Sequence, residues 1–249
     1  MASERPFLGI VTALPAEARA LGLRAAVAGA PLPLAARARA IRAGIGRARA
    51  EDAARALIEA GAGGLLAWGT AAALDAALRP GDLVLPRGVV TRDGRHLEVD
   101  AAWHRRMWSV AESSGNARAG NLAEADRVLA SGDDKLRLRA LSGALVADME
   151  SAAVVEAANR AGVPVLVVRA VADAADMVVP GCALAALDGH GEVDLLGLAL
   201  GLARTPRELP ALVRLAGGFR AACARLAALA ERAGPEFLLE GSGVESPQA

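Results

Sequence analysis

Residues 146–176 read VADMESAAVVEAANRAGVPVLVVRAVADAAD and place two acidic clusters, Asp148-Met149-Glu150 and Asp173 with Asp176, at the ends of two adjacent elements. Outside the carboxyl ends of strands is where an open α/β sheet takes its ligands. Carboxylates there accept hydrogen bonds from hydroxyl or amino groups, and a carboxyl whose pKa is raised by burial can hand a proton to a departing group. A third acid, Glu17, follows the apolar run Phe7 to Val11 and the helix-opening Pro15, so it falls in the first turn of a helix near another strand end.

The elements that would position these acids alternate along the chain. After the first strand and helix, residues 37–43 form a weak strand leading through Gly44-Ile45-Gly46 into a helix over 47–60. Leu65 to Trp68 reads as a strand followed by the small-residue turn Gly69-Thr70-Ala71-Ala72-Ala73, and a Pro-Gly turn precedes a strand at 83–85. Residues 87–99 read as a hairpin, 101–113 as a helix, 119–123 as a strand, 126–129 as a loop, and 131–140 as a helix with a basic solvent face. The acidic stretch then supplies strand, helix and strand, 178–192 is irregular, and helices follow over 193–203 and 207–230. This order predicts an α/β protein with three layers, a mixed central sheet flanked by helices. The expected organisation is one α/β domain over 1–233 and a loose polar tail over 234–249.

Composition removes several function classes. The 28 acidic and 28 basic side chains leave no net charge to recruit nucleic acid or an anionic membrane, and 2% aromatics leave few stacking platforms for single strands. Cys182 and Cys223 have neither CxxC nor Cys/His spacing, which fits a reducing, cytoplasmic setting and argues against a zinc site. The start MASERPFLGIV lacks the pattern of a secretory signal, and no stretch is apolar for long enough to span a bilayer. Gly44-Ile45-Gly46 before a helix suggests a dinucleotide site, but the third glycine of that pattern is missing, so a close-packed turn is the better reading. There is no phosphate loop and no Gly-x-Ser-x-Gly elbow; His96, His104 and His190 show no helical pairing. No metal and no organic cofactor is expected.

Six short motifs in order carry a resemblance: Thr-Ala-Leu-Pro-Ala-Glu ending at Glu17, Gly-Ile-Gly, Trp-Gly-Thr-Ala, Arg-Pro-Gly-Asp-Leu-Val, Asp-Met-Glu-Ser and Val-Arg-Ala-Val-Ala-Asp ending at Asp173. Together they make the chain up to about Asp176 similar to the nucleoside phosphorylase and nucleosidase superfamily, which includes purine nucleoside phosphorylases and methylthioadenosine/S-adenosylhomocysteine nucleosidases. SGALVADMES and the segment Pro206 to Ala216 look most like the hopanoid-associated phosphorylases, whose proposed substrate is adenosylhopane.

The resemblance implies cleavage of the N-glycosidic bond of an adenine nucleoside. Asp173 matches the aspartate that protonates or hydrogen-bonds purine N7; its plainer reading is a helix N-cap. Glu150 matches the glutamate that accepts ribose hydroxyls, and Met149 a methionine packed on the sugar. Glu17 aligns with the glutamate that positions water in the nucleosidases, whereas Arg19, Arg47 and the backbone of Gly69, Thr70 and Ala71 could cradle inorganic phosphate as a co-substrate. Hydrolysis and phosphorolysis both stay open. Val128 stands where an aromatic side chain sandwiches the purine, next to Leu129. The turn Gly-Thr-Ala-Ala-Ala has alanine where the family carries glycine, which opens a second reading, a nucleoside-binding protein without turnover. A homo-oligomer is implied too; with a lipid-like substrate the leucine-rich C-terminal helices could line a tail site or touch a membrane surface, but packing against the core or a partner subunit is the better reading.

Overall fold

The computed structural model describes residues 6–23, 28–113 and 115–239. The first five residues, and the part of the expected tail over 240–249, lie outside them. In chain order the elements begin with β1 (Phe7–Thr12), α1 (Pro15–Ala20), β2 (Pro31–Ala35), β3 (Ala38–Arg42), α2 (Arg47–Glu59) and β4 (Ala62–Ala73). The middle holds β5 (Leu83–Val90), β6 (His96–Glu98), α3 (Ala101–Glu112), β7 (Ala117–Glu124), α4 (Gly132–Ser142) and β8 (Val146–Asp148). Then come α5 (Ser151–Ala161), β9 (Val165–Asp173), α6 (Gly181–Ala186), α7 (Leu195–Arg204), a single 3-10 turn (Pro206–Glu208) and the long α8 (Leu209–Ala233).

The nine strands form one mixed sheet in the order β2-β3-β1-β4-β8-β7-β5-β6, with β9 pairing both β4 and β5. β4 runs parallel to β1 and β9 and antiparallel to β8, while β5 is parallel to β7 and antiparallel to β9. Because β7 also pairs β8, the pairings close a ring through β4, β8, β7, β5 and β9. Strands buried on both faces read as continuous apolar runs, and β9 is buried at every position. Its alternate side chains feed two cores. Val165, Val167 and Val171 pack with the alanines and valines of α2 and α5; Leu166, Val168 and Ala170 pack with Trp103 and Met107 of α3 and Leu226 and Leu229 of α8. Helices thus cover both faces, and the expected three-layer α/β architecture is the one observed.

Three expectations need correction. Gly69-Thr70-Ala71-Ala72-Ala73 is strand, not turn, because β4 continues to Ala73: Gly69 and Thr70 pair with Arg169 and Ala170 of β9, the register shifts between Ala71 and Ala72, and Ala73 pairs with Val146 of β8. The helix over 131–140 does not turn all its basic residues to solvent: Lys135 is among the largest fully buried side chains. The segment 234–239 is not loose, since Phe237 is buried, sets its ring edge-on to Trp68 at 5.1 Å, and accepts a hydrogen bond from Trp103 Nε1 at 2.6 Å. No helix among the described residues is long and apolar enough to cross a membrane.

Candidate active site

The first wall is built on Glu17. Its carboxylate accepts from Thr12 Oγ1, Ala13 N and Leu14 N at Oε2, and from Thr70 N and Thr70 Oγ1, both at 2.8 Å, at Oε1. A carboxylate offers about four lone-pair directions, so these five donors saturate it, and Glu17 joins the first turn of α1 to the middle of β4. The join requires glycine at position 69: a Cβ there would lie 2.8 Å from the carboxyl carbon and both oxygens of Glu17. Ala71 and Ala72 sit in paired strand backbone, and neither is among the positive-φ residues, so alanine costs nothing there.

The second wall is the β8–α5 junction. Asp148 accepts from Ser151 N and Ser151 Oγ, capping the start of α5, and from Arg169 Nε at 2.5 Å; Arg169 Nη2 also reaches Ser151 Oγ at 2.8 Å. All three side chains are buried. This pair fixes the backbone that carries Glu150, whose Oε1 accepts from Gly46 N at 2.6 Å. Gly46 has φ 101°, a conformation glycine supplies without strain, so the Gly-Ile-Gly turn presents an N–H to a carboxylate rather than to a pyrophosphate. Glu150 keeps a face to the cavity but is otherwise enclosed by protein. That desolvation pushes its carboxyl up to about 8, with the charge of Asp148 adding and the Gly46 N–H opposing.

Asp173, at the last position of β9, forms the third wall. No helix starts there, since α6 begins only at Gly181, so the N-cap reading fails. Its Oδ2 accepts from Lys135 Nζ, and Lys135 also donates to Ala174 O at 2.7 Å and Met177 O at 3.0 Å. Burial raises the Asp173 carboxyl above the usual carboxylate range, and Lys135 opposes the rise.

These walls enclose a cavity of about 240 Å³ lined by Glu17, Thr70, Ala71, Val128, Leu129, Asp148, Met149, Glu150 and Asp173. Its apolar side comes from Val179, Leu184 and Leu187 around α6 and from Leu215 and Phe219 of α8. Behind it, Glu17, Gly69, Thr70, Glu150 and Arg169 line a second cavity of about 10 Å³. Of the residues singled out from sequence, Arg47 and Arg19 lie elsewhere: the Arg47 guanidinium binds Glu124 and Glu156, and Arg19 lines a separate cavity beside Leu34 and Phe237, so neither is an anion cradle. Gly69 borders only the small cavity, and Val128 stands at an exposed edge of the large one. Sequence reasoning missed Thr12, Lys135, Arg169 and Phe219, and gave Asp148 no role apart from its cluster. Asp148 stands inside the Asp-Met-Glu motif, and Arg169 is an arginine within an otherwise apolar strand; both signals were readable.

Three comparisons bear on this arrangement. A family model described as the phosphorylase superfamily matches residues 35–183. No curated protein matches the chain. Solved structures share its fold: futalosine hydrolase of Helicobacter pylori has a TM-score of 0.68 at 18% identity, covering 91% of this chain and 96% of that one. S-adenosylhomocysteine nucleosidase from Streptococcus pyogenes, with 5-methylthiotubericidin, gives 0.67 at 19% identity and coverage of 92% and 96%. The methylthioadenosine/S-adenosylhomocysteine nucleosidase of Neisseria meningitidis, with methylthio-immucillin-A, gives 0.69 at 18% identity and coverage of 91% and 97%.

Proposed function

We propose, for a chain that belongs to the phosphorylase superfamily, that it hydrolyses the N-glycosidic bond of an adenine nucleoside. The observation that carries water over phosphate is the charge and size of the nucleophile side. Four carboxylates, Glu17, Asp148, Glu150 and Asp173, line the main cavity against one guanidinium, that of Arg127. Arg127 is exposed and shared with Asp126 and Asp134, and Arg169 is held by Asp148. A phosphate dianion would find no uncommitted cation lining that cavity among the described residues. The cavity of about 10 Å³ beside Thr70 is the size that takes about one water.

In this reading Asp173 protonates N7 as the C1′–N9 bond breaks, which lets the base leave neutral. Glu150 accepts the ribose hydroxyls and favours positive charge at C1′, with Met149 against the sugar. As the C1′–O bond forms, Thr70 Oγ1 takes a proton from the attacking water and passes its own to Glu17 Oε1, 2.8 Å away, so Glu17 ends with the water's proton. Val128 and Leu129 border the base. With no aromatic at 128, base affinity rests on hydrogen bonds and on apolar burial elsewhere, at about 25 cal/mol per Å².

The apolar wall from α6 and α8 supports a bulky apolar 5′ substituent, and adenosylhopane is the substrate the sequence resemblance names. Leu195, Leu196 and Leu200 of α7 are exposed, which supports an apolar neighbour on that face, a second copy of the chain by the same resemblance. The test is adenine release from adenosine, 5′-methylthioadenosine and adenosylhopane in phosphate-free buffer. Release without phosphate is expected, and strict dependence on phosphate would overturn hydrolysis.

A further inference from the structure

We propose that Lys135 is the counter-ion that stabilises the carboxylate left on Asp173 when the base takes its proton, a positioning residue for the reaction above, on whose reading this inference rests. The geometry is specific. Lys135 rises from α4 with its side chain almost wholly buried, and its ammonium has three acceptors: Asp173 Oδ2 and the carbonyls of Ala174 and Met177. An ammonium has three donors, so all are used and the nitrogen is fixed. The two carbonyls belong to the loop that follows Asp173, so one cation holds both the acid and its backbone. Asp173 Oδ1 accepts no hydrogen bond from the described residues and belongs to a side chain that lines the cavity, which leaves it for a ligand.

A buried acid must solve two problems. It needs to hold its proton until the leaving group is ready, and it must then carry a negative charge in a poorly solvated place. Burial does the first, raising the carboxyl. Lys135 does the second. During the step the Asp173 O–H bond breaks, an N7–H bond forms, and the C1′–N9 electron pair passes to the purine. The new carboxylate meets a cation already in place, fixed by its three acceptors. Other charged groups stand apart: Glu17, Asp148 and Glu150 are on the remaining walls, the exposed guanidinium of Arg127 is engaged by Asp126 and Asp134, and α8 presents Leu215 and Phe219 on this side. Lys135 is the charged group that acts on Asp173.

The experiment compares Lys135→Met with the unsubstituted protein on 5′-methylthioadenosine and on its 7-methyl derivative, whose base already carries the positive charge and needs no proton. Loss of one charge-assisted contact should slow adenine release roughly 10- to 100-fold on the first substrate. On the 7-methyl substrate the loss should shrink to within about threefold, and the alkaline limb of the pH profile for the unmethylated substrate should move to higher pH, because burial then acts unopposed. Equal losses on both substrates with an unmoved limb would reduce Lys135 to a structural strut and overturn the proposal. Lys135→Gln, which keeps donors for the two carbonyls, replaces the methionine variant if that one does not melt cooperatively, and is read in the same way. No adenine release by the unsubstituted protein would overturn the hydrolysis reading and this inference with it; release with equal losses would overturn only the inference.

Discussion

Two buried cation–aspartate pairs stand close together and do opposite work. Arg169 and Asp148 form a closed unit: the guanidinium meets Asp148 and Ser151, and Asp148 spends its remaining acceptor capacity on the start of α5. Lys135 and Asp173 form an open one, with one carboxylate oxygen paired and the other left toward the cavity. Like charge pairs in like burial therefore differ by one free oxygen, and that oxygen separates a strut from a reacting group. Residue type and burial are shared; the count of satisfied acceptors is what tells them apart.

The largest effect should come from the open pair. Asp173→Asn should lower adenine release by about 10²- to 10⁴-fold, while its amide oxygen still accepts from Lys135 and the protein still melts cooperatively, and unchanged turnover would break the contrast at its reactive end. The closed pair should show the reverse. Arg169→Met leaves Asp148 buried without its cation and should cost about 3–5 kcal/mol of unfolding free energy, measured by urea denaturation; a loss of activity without a loss of stability would make Arg169 a reacting group instead. Between the two pairs lies Glu150. Glu150→Ala should lower turnover of a ribonucleoside by roughly 10-fold or more and that of its 2′-deoxy analogue by less, and equal losses would remove the sugar contact.

The smallest effect is a slope. Burial, then the charge of Asp148, raises the Glu150 carboxyl to about 8, so between its ordinary range near 4.5 and that value the folded protein binds more protons than the unfolded chain. Glu150 therefore contributes stability in full below the lower value and loses it as pH rises through the upper one. Unfolding free energy of the ligand-free protein should fall over that window, and Glu150→Gln should flatten the fall by on the order of 1 kcal/mol. An unchanged slope would assign the pH dependence to another group.

The acids themselves were legible, because Glu17, Glu150 and Asp173 sit in short motifs whose order can be read along one line of residues. Their partners were harder. Lys135 lies on a helix whose charged residues read as a solvent face, and the carboxylate that buries it comes 38 positions later. Helical periodicity registers which side chains share a face, not which face meets an acid from another strand. Gly69 to Ala73 was read as a turn because small residues favour turns, yet pairing with β9 overrides that local preference. Arg47 was placed near an anion site by its position after Gly46; its side chain instead crosses to Glu124 and Glu156, a long-range choice with no local signature.

Phe237 gives the molecule a timetable. It closes over Trp68 and receives the Trp103 indole N–H from 134 positions downstream. During synthesis β4, which carries Thr70, leaves the ribosome long before the turn that covers its back, and a contact of such sequence separation forms late. A chain stopped short of Phe237 would hold every acid of the site yet leave Trp68 without the ring, and Trp103 without the carbonyl, that complete their surroundings.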